Sequence, residues 1–272
     1  MRVVDLDRDM SDVIPTGMSL DSEYLFERMT EISISEALPD SGRRVLDVAS
    51  GVGQDSIELA ARGAWVVGAE PSRRMIGMSQ LFAAEKAADK TKGSKGPAPG
   101  WVQAWSDSLP FATGAFDACI CKGALDHFDR PEQAIAEMAR VTRSSGRVVL
   151  AIANFESLAC RAGRALDEMR QDLLGMEPLR ERRGYDAPSD HFTRYEVDLM
   201  QEQASRHLVL EQVRGISVGW GLPGWSRLVE ALPRELGWAS LQGLDRLARA
   251  APELADVIVL VGRPRRSPST SA

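Results

Sequence analysis

Apolar residues along this chain follow two alternating patterns, short continuous runs and residues spaced three or four apart. Continuous runs predict buried strands at 44–48, 64–69, 116–121, 147–153, 208–216 and 256–262. Helical spacing predicts helices at 20–38, 52–62, 71–88, 131–142 and 193–205. The last of these helices is placed by the capping box that begins at Thr193 and ends at Glu196. Alternating strands and helices predict an α/β fold with a mostly parallel sheet.

A tight turn joins the first predicted strand to the helix that follows it. Gly51 and Gly53 allow this turn to bend, and they allow the backbone to approach a ligand closely. The N-terminus of the helix directs its N–H groups at the same ligand. Glu70 ends the second strand, where a carboxylate can accept hydrogen bonds from both hydroxyls of a ribose. Together these features predict a nucleoside site at the carboxyl ends of the strands.

Ser56 distinguishes two kinds of nucleoside-binding fold. A dinucleotide fold requires a third glycine here for close packing of helix on strand, and this chain has Ser56 instead. The loop resembles the first motif of class I S-adenosylmethionine-dependent methyltransferases, in which an acidic residue precedes a G-x-G-x-G core by two positions. Asp47 is the acidic residue, Ala49 replaces the first glycine, and Gly51 and Gly53 are the other two.

Further segments resemble motifs of the same family in the same order. Residues 106–111 resemble the loop after the family's third strand, and residues 116–121 resemble its fourth strand. Residues 124–128 resemble the motif after that strand, and residues 140–146 resemble the turn before its fifth strand. The pattern is most similar to small-molecule methyltransferases of ubiquinone and menaquinone biosynthesis. The resemblance implies an α/β, Rossmann-like methyltransferase fold with a seven-stranded, mostly parallel sheet. It also implies an antiparallel last strand between strands five and six, helices on both faces, helical lid insertions, and the cofactor S-adenosyl-L-methionine.

The resemblance implies cofactor contacts at the ends of the first four strands. The predicted cofactor-binding residues are Asp47, Ala49, Ser50, Gly51, Gly53, Glu70, Pro71, Ser106, Asp107, Ser108 and Lys122. One position departs from the family, because Trp105 stands where an aspartate usually binds the adenine amino group. Three alternatives are open there. Asp107 reaches the amine, the Trp105 ring stacks on the base, or the backbone of the loop contacts the adenine.

Asp126 and His127 are the predicted catalytic residues. Methyl transfer from a sulfonium is an in-line displacement with a neutral leaving group, so positioning is the enzyme's main contribution. An acidic hydroxyl or carbon acceptor also requires a general base. Asp126 and His127 follow the fourth strand, and an imidazole can accept a proton near neutral pH. We prefer His127 over His191 as the base, and the alternative is that His127 only shapes the pocket.

The acceptor is predicted from two features outside these motifs. Residues 121–124 read Cys-Lys-Gly-Ala and lack the Asn/Asp-Pro-Pro-aromatic signature of amino-methylating enzymes, which favours an oxygen or carbon acceptor. In the family, insertions after strand five and before the last strand form lids over the acceptor. Here residues 155–190 contain a basic amphipathic helix, and residues 219–252 carry Trp220, Trp225 and Trp238. The tryptophans either line the mouth, which favours a hydrophobic or aromatic acceptor, or pack the insertion onto the sheet.

Length and composition restrict the remaining possibilities. The 272 residues fit one domain over 1–262, with an N-terminal helical cap at 1–42 and a disordered tail at 263–272. The net charge of −6 argues against a nucleic-acid partner, so a small-molecule acceptor is predicted. No Cys and His cluster predicts a metal, and no integral membrane segment or secretory signal is recognisable. We therefore expect a soluble cytoplasmic protein, whose oligomeric state the sequence leaves open.

Two other functions compete with a methyltransferase. The first is an NAD-dependent oxidoreductase of the Rossmann type, which shares the glycine turn and the ribose carboxylate. Ser56 and the later motifs count against it. The second is a non-catalytic nucleoside-binding protein on the methyltransferase fold, which only a turnover assay separates from an enzyme.

Overall fold

The structure is a computed structural model, and it describes residues 18–38, 42–88, 95–177 and 192–265. Its strands are β1 (Arg44–Val48), β2 (Trp65–Glu70), β3 (Gly100–Gln103), β4 (Phe116–Lys122), β5 (Thr142–Ala153), β6 (Leu208–Ile216) and β7 (Val257–Pro264). They form a seven-stranded sheet in the order β3-β2-β1-β4-β5-β7-β6. Strand β7 lies antiparallel between β5 and β6, while β1 to β5 pair in parallel. The predicted topology is therefore confirmed.

Helices cover both faces of this sheet, as predicted. They are α1 (Leu20–Ala37), α2 (Gln54–Ala61), α3 (Arg73–Ala88), α4 (Pro131–Val141), α5 (Leu158–Leu174), α6 (Val197–Ser205), α7 (Trp225–Glu230) and α8 (Arg234–Ala250). Strand side chains alternate between the faces. On β4, Ala118 and Ile120 join the core under α1 and α2, whereas Cys119 and Cys121 join the core under α4 and α6. Burial raises the pKa of both thiols, as expected for cysteines that serve as small apolar residues.

Three predicted helix starts are wrong, and one of them is α3, which begins at Arg73 rather than at residue 71. Helix α2 begins at Gln54 rather than at residue 52, because Gly53 is its N-cap and has a left-handed φ of 79°. Helix α6 begins at Val197, and its N-cap Glu196 makes no side-chain capping bond. The predicted capping box fails because the residues before Glu196 form tertiary contacts instead. The backbone N–H groups of Phe192 and Thr193 donate to the carbonyl of Asp126, at 2.7 and 3.3 Å.

The chain ends also differ from the prediction. Strand β7 continues to Pro264, where it pairs with Leu208, so residues 263 and 264 belong to the sheet rather than to a tail. The rest of the predicted tail, at 266–272, lies outside the described residues, as do 1–17 and 39–41 of the predicted cap. Residues 178–191, including His191, are also outside them. Among the helices of the described ranges, none has the length and apolar character needed to cross a membrane.

The tryptophans of the second insertion pack against α1 and the sheet. Trp225 and Trp238 pack in a cluster with Tyr24, and the Trp238 ring meets the Tyr24 ring edge to face at 5.0 Å between centroids. Trp220 packs on the sheet core and donates its indole N–H to Ser22 Oγ at 3.0 Å. These contacts agree with the packing alternative, and the role of the insertion as a lid stays a prediction.

Candidate functional site

The predicted site residues lie together at one edge of the sheet. Because β1 to β4 run parallel, their carboxyl ends meet at this edge. The edge carries residues 49–53, here called the glycine loop, and the end of β2 at Glu70. It also carries the loop at 104–109 and the turn after β4. A ligand-binding crevice outside the carboxyl ends of parallel strands is the general arrangement of open α/β sheets.

The glycine loop has the conformation that its motif predicts, even where alanine replaces glycine. Ala49, Gly51 and Gly53 all have positive φ angles, of 55°, 53° and 79°. A left-handed conformation costs a non-glycine residue about 1–2 kcal/mol. At Ala49 it is held by hydrogen bonds to β2, because the N–H groups of Ala49 and Ser50 both donate to the carbonyl of Ala69, at 2.8 and 3.3 Å.

Glu70 connects the glycine loop to the start of α3. The residue is 7% exposed, and its carboxylate accepts the Gly51 N–H at Oε2 (2.9 Å) and the Ser72 N–H at Oε1 (3.0 Å). The Ser72 hydroxyl in turn accepts the N–H of Met75 in the first turn of α3. Since each carboxylate oxygen can accept two hydrogen bonds, these contacts are compatible with the predicted ribose binding. They also add a structural task, because Glu70 orders the loop.

Asp47 lies beneath the glycine loop and is hydrogen-bonded to Ser56. The Ser56 hydroxyl donates to Asp47 Oδ2 at 2.7 Å, and both residues are buried. The serine that interrupts the dinucleotide fingerprint is thus the partner of the acidic residue in the methyltransferase-like motif. Burial, and then the nearby carboxylate of Asp55, raises the pKa of Asp47 to about 8.

Lys122 connects three elements at the same edge. Its ammonium group lies 2.7 Å from Asp55 Oδ1 in the first turn of α2 and 2.6 Å from Thr30 Oγ1 in α1. It therefore joins the end of β4 to the helix that follows the glycine loop and to the N-terminal helix. The predicted contact of Lys122 with the cofactor stays a prediction, and the observed contacts place its charge beside the glycine loop.

The loop after β3 is held by α4. The Leu109 N–H donates to Glu137 Oε2 at 2.9 Å, and the Arg140 guanidinium donates to the carbonyls of Leu109 and Phe111 at 3.0 and 2.8 Å. Within the loop, Trp105 and Ser108 pair through their backbones as an isolated antiparallel β-bridge, and Trp105 is partly exposed. Asp107, Ser106 and Ser108 lie in the same turn, so all three alternatives for adenine recognition stay predictions.

The predicted catalytic pair lies in a short 3₁₀ turn, Leu125–His127. The Asp126 side chain is 4% exposed and that of His127 is 39% exposed. His127 Nε2 lies 3.9 Å from Asp126 Oδ1, a distance too long for a hydrogen bond. Residues 192–195, here called the strap, cover this turn through the two bonds to the Asp126 carbonyl. The N–H of Phe155 donates to the carbonyl of Tyr195 in the strap, at 2.9 Å.

Residues 46–150 match a family model described as a methyltransferase domain. This region is therefore similar to methyltransferase domains, in agreement with the family that the motifs predicted. The cofactor of that predicted family is S-adenosylmethionine.

Two relatives match part of the chain. The demethylmenaquinone methyltransferase of Mycolicibacterium vanbaalenii is 34% identical over 139 residues, which are 51% of this chain and 53% of that protein. An uncharacterised methyltransferase of Bacillus subtilis is 30% identical over 107 residues, which are 39% of each protein. The chain thus spans about half or less of the length of these relatives.

Solved structures share the fold over a longer range. The magnesium protoporphyrin IX methyltransferase of Synechocystis, solved with bound SAH, has a TM-score of 0.58 at 15% identity and covers 90% of this chain and 86% of that one. The cyclase SpnF has a TM-score of 0.57 at 18% identity, covering 89% and 82%. Similarity at this identity concerns the fold alone, and it confirms the Rossmann-like methyltransferase fold.

Several side chains that support the candidate site were not predicted. Thr30, Ser79 and Trp101 reach the site from α1, α3 and β3. Nothing in the local sequence marks them, because each meets the edge only through the fold. The i,i+3 spacing of Glu137 and Arg140 predicts an ion pair on the surface of a helix. Their hydrogen bonds to the loop after β3 could not be predicted from that spacing.

The buried carboxyl of Asp47 should make the stability of the fold depend on pH. An aspartate in the unfolded chain has a pKa near 3.9, whereas burial raises the pKa of Asp47 in the fold to about 8. Between these values the native state binds more protons, so stability falls as pH rises. We expect Asp47→Asn to flatten this decline, measured by urea unfolding at about pH 5 and pH 8.

Asp256 provides the internal reference for this measurement. Burial raises its pKa to about 7, so part of the decline should persist in Asp47→Asn. The effects should combine in Asp47→Asn/Asp256→Asn. An unchanged slope in the Asp47 variant would show that Asp47 is ionised in the native state.

Proposed function

We propose that this protein transfers a methyl group from S-adenosylmethionine to an oxygen or carbon of a small, hydrophobic or aromatic molecule. The observation that carries the proposal is the hydrogen bond between Glu70 and the Gly51 N–H, which unites the glycine loop and the ribose carboxylate in one place. The two features that the motif requires are thus adjacent in space. The demethylmenaquinone methyltransferases among the relatives support the same reaction class.

Different residues at the edge bind different parts of the predicted cofactor. Glu70 accepts hydrogen bonds from the ribose hydroxyls, and the glycine loop presents backbone N–H groups to the amino-acid end. Lys122 adds a positive charge for the carboxylate of that end, with Asp55 and Thr30 fixing its direction. When bound, the sulfonium supplies an electrophilic methyl group. The protein's contribution is to align the acceptor with that methyl group and, where the acceptor is acidic, to remove its proton at His127 Nε2.

Helix α5 supports an apolar acceptor. Its residues Leu158, Leu166, Met169 and Leu173 recur at helical spacing and are 42–73% exposed. The helix starts directly beyond β5, beside the strap that covers the Asp126 turn, and Phe192 of the strap is 66% exposed. A contiguous patch of large exposed apolar side chains usually marks a binding site. We call Leu166, Met169 and Leu173 the α5 stripe.

Substitution of the α5 stripe tests the acceptor class. The variant Leu166→Gln/Met169→Gln/Leu173→Gln should bind S-adenosylhomocysteine as tightly as the wild type, because the stripe is separate from the glycine loop. Its kcat/KM for a ring-bearing quinol should fall about tenfold or more, since each lost apolar contact removes part of the burial energy. Calorimetry and a methyl-transfer assay measure the two quantities.

The matched control is Leu81→Gln/Leu247→Gln, which changes exposed leucines on α3 and α8. It should leave both quantities near their wild-type values. Equal loss of quinol turnover in the control, or none in the stripe variant, would contradict an acceptor site at α5. Wild-type protein that binds the cofactor but releases no S-adenosylhomocysteine with any acceptor would instead favour the non-catalytic alternative.

A further inference from the structure

Both backbone polar atoms of Gly51 are held by side chains from neighbouring elements. Its N–H donates to Glu70 of β2, at 2.9 Å. Its carbonyl lies 3.0 Å from the hydroxyl oxygen of Ser79, a fully buried residue of α3. The same hydroxyl lies 2.9 Å from the carbonyl of Met75, one turn earlier, so its single proton is shared between two acceptors. The central residue of the glycine loop is therefore hydrogen-bonded from two sides, by Glu70 and by Ser79.

The ring of Trp101 supports the loop one step further along. A Cβ atom on Gly53 would lie 2.3 Å from Trp101 Cη2 and 3.0 Å from Ser79 Cβ. A Cβ on Gly68 of β2 would lie 2.5 Å from the same ring. The indole thus packs against bare backbone at both places. Trp101 and Ser79 meet at Gly53, so they form one support behind the loop.

We propose that Ser79 and Trp101 are positioning residues that hold the glycine loop in its cofactor-binding conformation. The proposal rests on the function proposed above. Left-handed φ angles at Gly51 and Gly53 are accessible to glycine but are not enforced by it, since glycine also adopts many other conformations. A loop ordered beforehand loses less entropy on binding, so the supporting contacts increase affinity without touching the ligand.

Removal of the hydroxyl tests the first support. Ser79→Ala should weaken S-adenosylhomocysteine binding about two- to tenfold, the effect of one neutral hydrogen bond. The control is Ser240→Ala, because the Ser240 hydroxyl makes the same one-turn bond, to Leu236 at 2.8 Å, on an exposed face of α8. Calorimetry measures affinity, and thermal unfolding measures stability in parallel. Wild-type affinity in Ser79→Ala would overturn the role of Ser79.

A double-variant cycle distinguishes positioning from a general loss of stability. Ser79 and Glu70 hold the same residue, so Ser79→Ala should cost less affinity in a Glu70→Gln background than in the wild type. Multiplicative losses would contradict a shared action on Gly51.

Removal of the indole's outer ring tests the second support. Trp101→Phe should weaken binding of S-adenosylhomocysteine severalfold, whereas Trp65→Phe, an exposed tryptophan on β2, should not. If the wild type does not bind the ligand, the proposed function fails. If it binds and neither Ser79→Ala nor Trp101→Phe changes affinity, the positioning proposal alone fails.

Discussion

His127→Ala is expected to lower kcat by about 10²–10⁴, the usual contribution of a positioned general base. Affinity for S-adenosylhomocysteine should change little, because His127 lies in the turn after β4 and not at the glycine loop. The buried carboxylate of Asp126 lies 3.9 Å from Nε2, the atom that would accept the proton of the acceptor. Steady-state kinetics with an acidic acceptor measure kcat, and calorimetric titration with S-adenosylhomocysteine measures the affinity.

The matched control for this substitution is His207→Ala. His207 is also partly exposed and also faces a carboxylate, Glu132, at 3.5 Å, but it lies directly before β6, away from the site edge. Its replacement should leave kcat near the wild-type value. Normal turnover of His127→Ala at every pH would show that His127 shapes the pocket without acting as the base. A loss confined to KM would point to the same conclusion.

Glu70→Ala should weaken S-adenosylmethionine binding by about 1.5–3 kcal/mol, the contribution of hydrogen bonds to a charged group. This corresponds to roughly ten- to 150-fold in Kd. Two losses combine in this variant. The ribose hydroxyls lose their acceptor, and the Gly51 and Ser72 N–H groups lose theirs, so the loop is less ordered before binding. Titration calorimetry measures the total.

Glu58→Ala is the appropriate control, because Glu58 lies on α2 close to the glycine loop but pairs with Arg62 on the surface. Exposed pairs of this kind contribute little, so affinity should stay close to wild type. Glu70→Gln should lose less affinity than Glu70→Ala, since its one amide oxygen can still accept the N–H of Gly51 or that of Ser72. Unchanged affinity in Glu70→Ala would remove Glu70 from the cofactor site and with it the main support for the proposed function.

The α5 stripe and the glycine-loop support make different demands on the same fold. The stripe lies on a helix that projects from the carboxyl edge and keeps large apolar side chains in water. The loop support consists of buried contacts that fix backbone groups. We expect substitutions in the first to change acceptor use and substitutions in the second to change cofactor affinity. A buried site proposed for the cofactor, beside a more exposed side proposed for the acceptor, is the arrangement expected when binding residues are placed on a supporting scaffold.

The sequence by itself determined six of the seven strands and the edge that carries the site, whereas the strand order was implied by the family resemblance. Apolar runs such as 44–48 and 116–121 record burial on both faces. These are local signals, because strand burial and turn glycines are visible within a few residues. Only the tertiary structure decided which side chains support the site.

Three contacts show why. Ser79 reaches Gly51, Lys122 reaches Thr30, and the strap at Phe192 reaches Asp126, and each joins residues that are far apart in the sequence. The last of these displaced the capping box predicted at Thr193, since a buried carbonyl gained two N–H donors in place of a helix cap. Local propensity contributes a few tenths of a kcal/mol to about 1 kcal/mol per residue, so contacts formed on folding can override it.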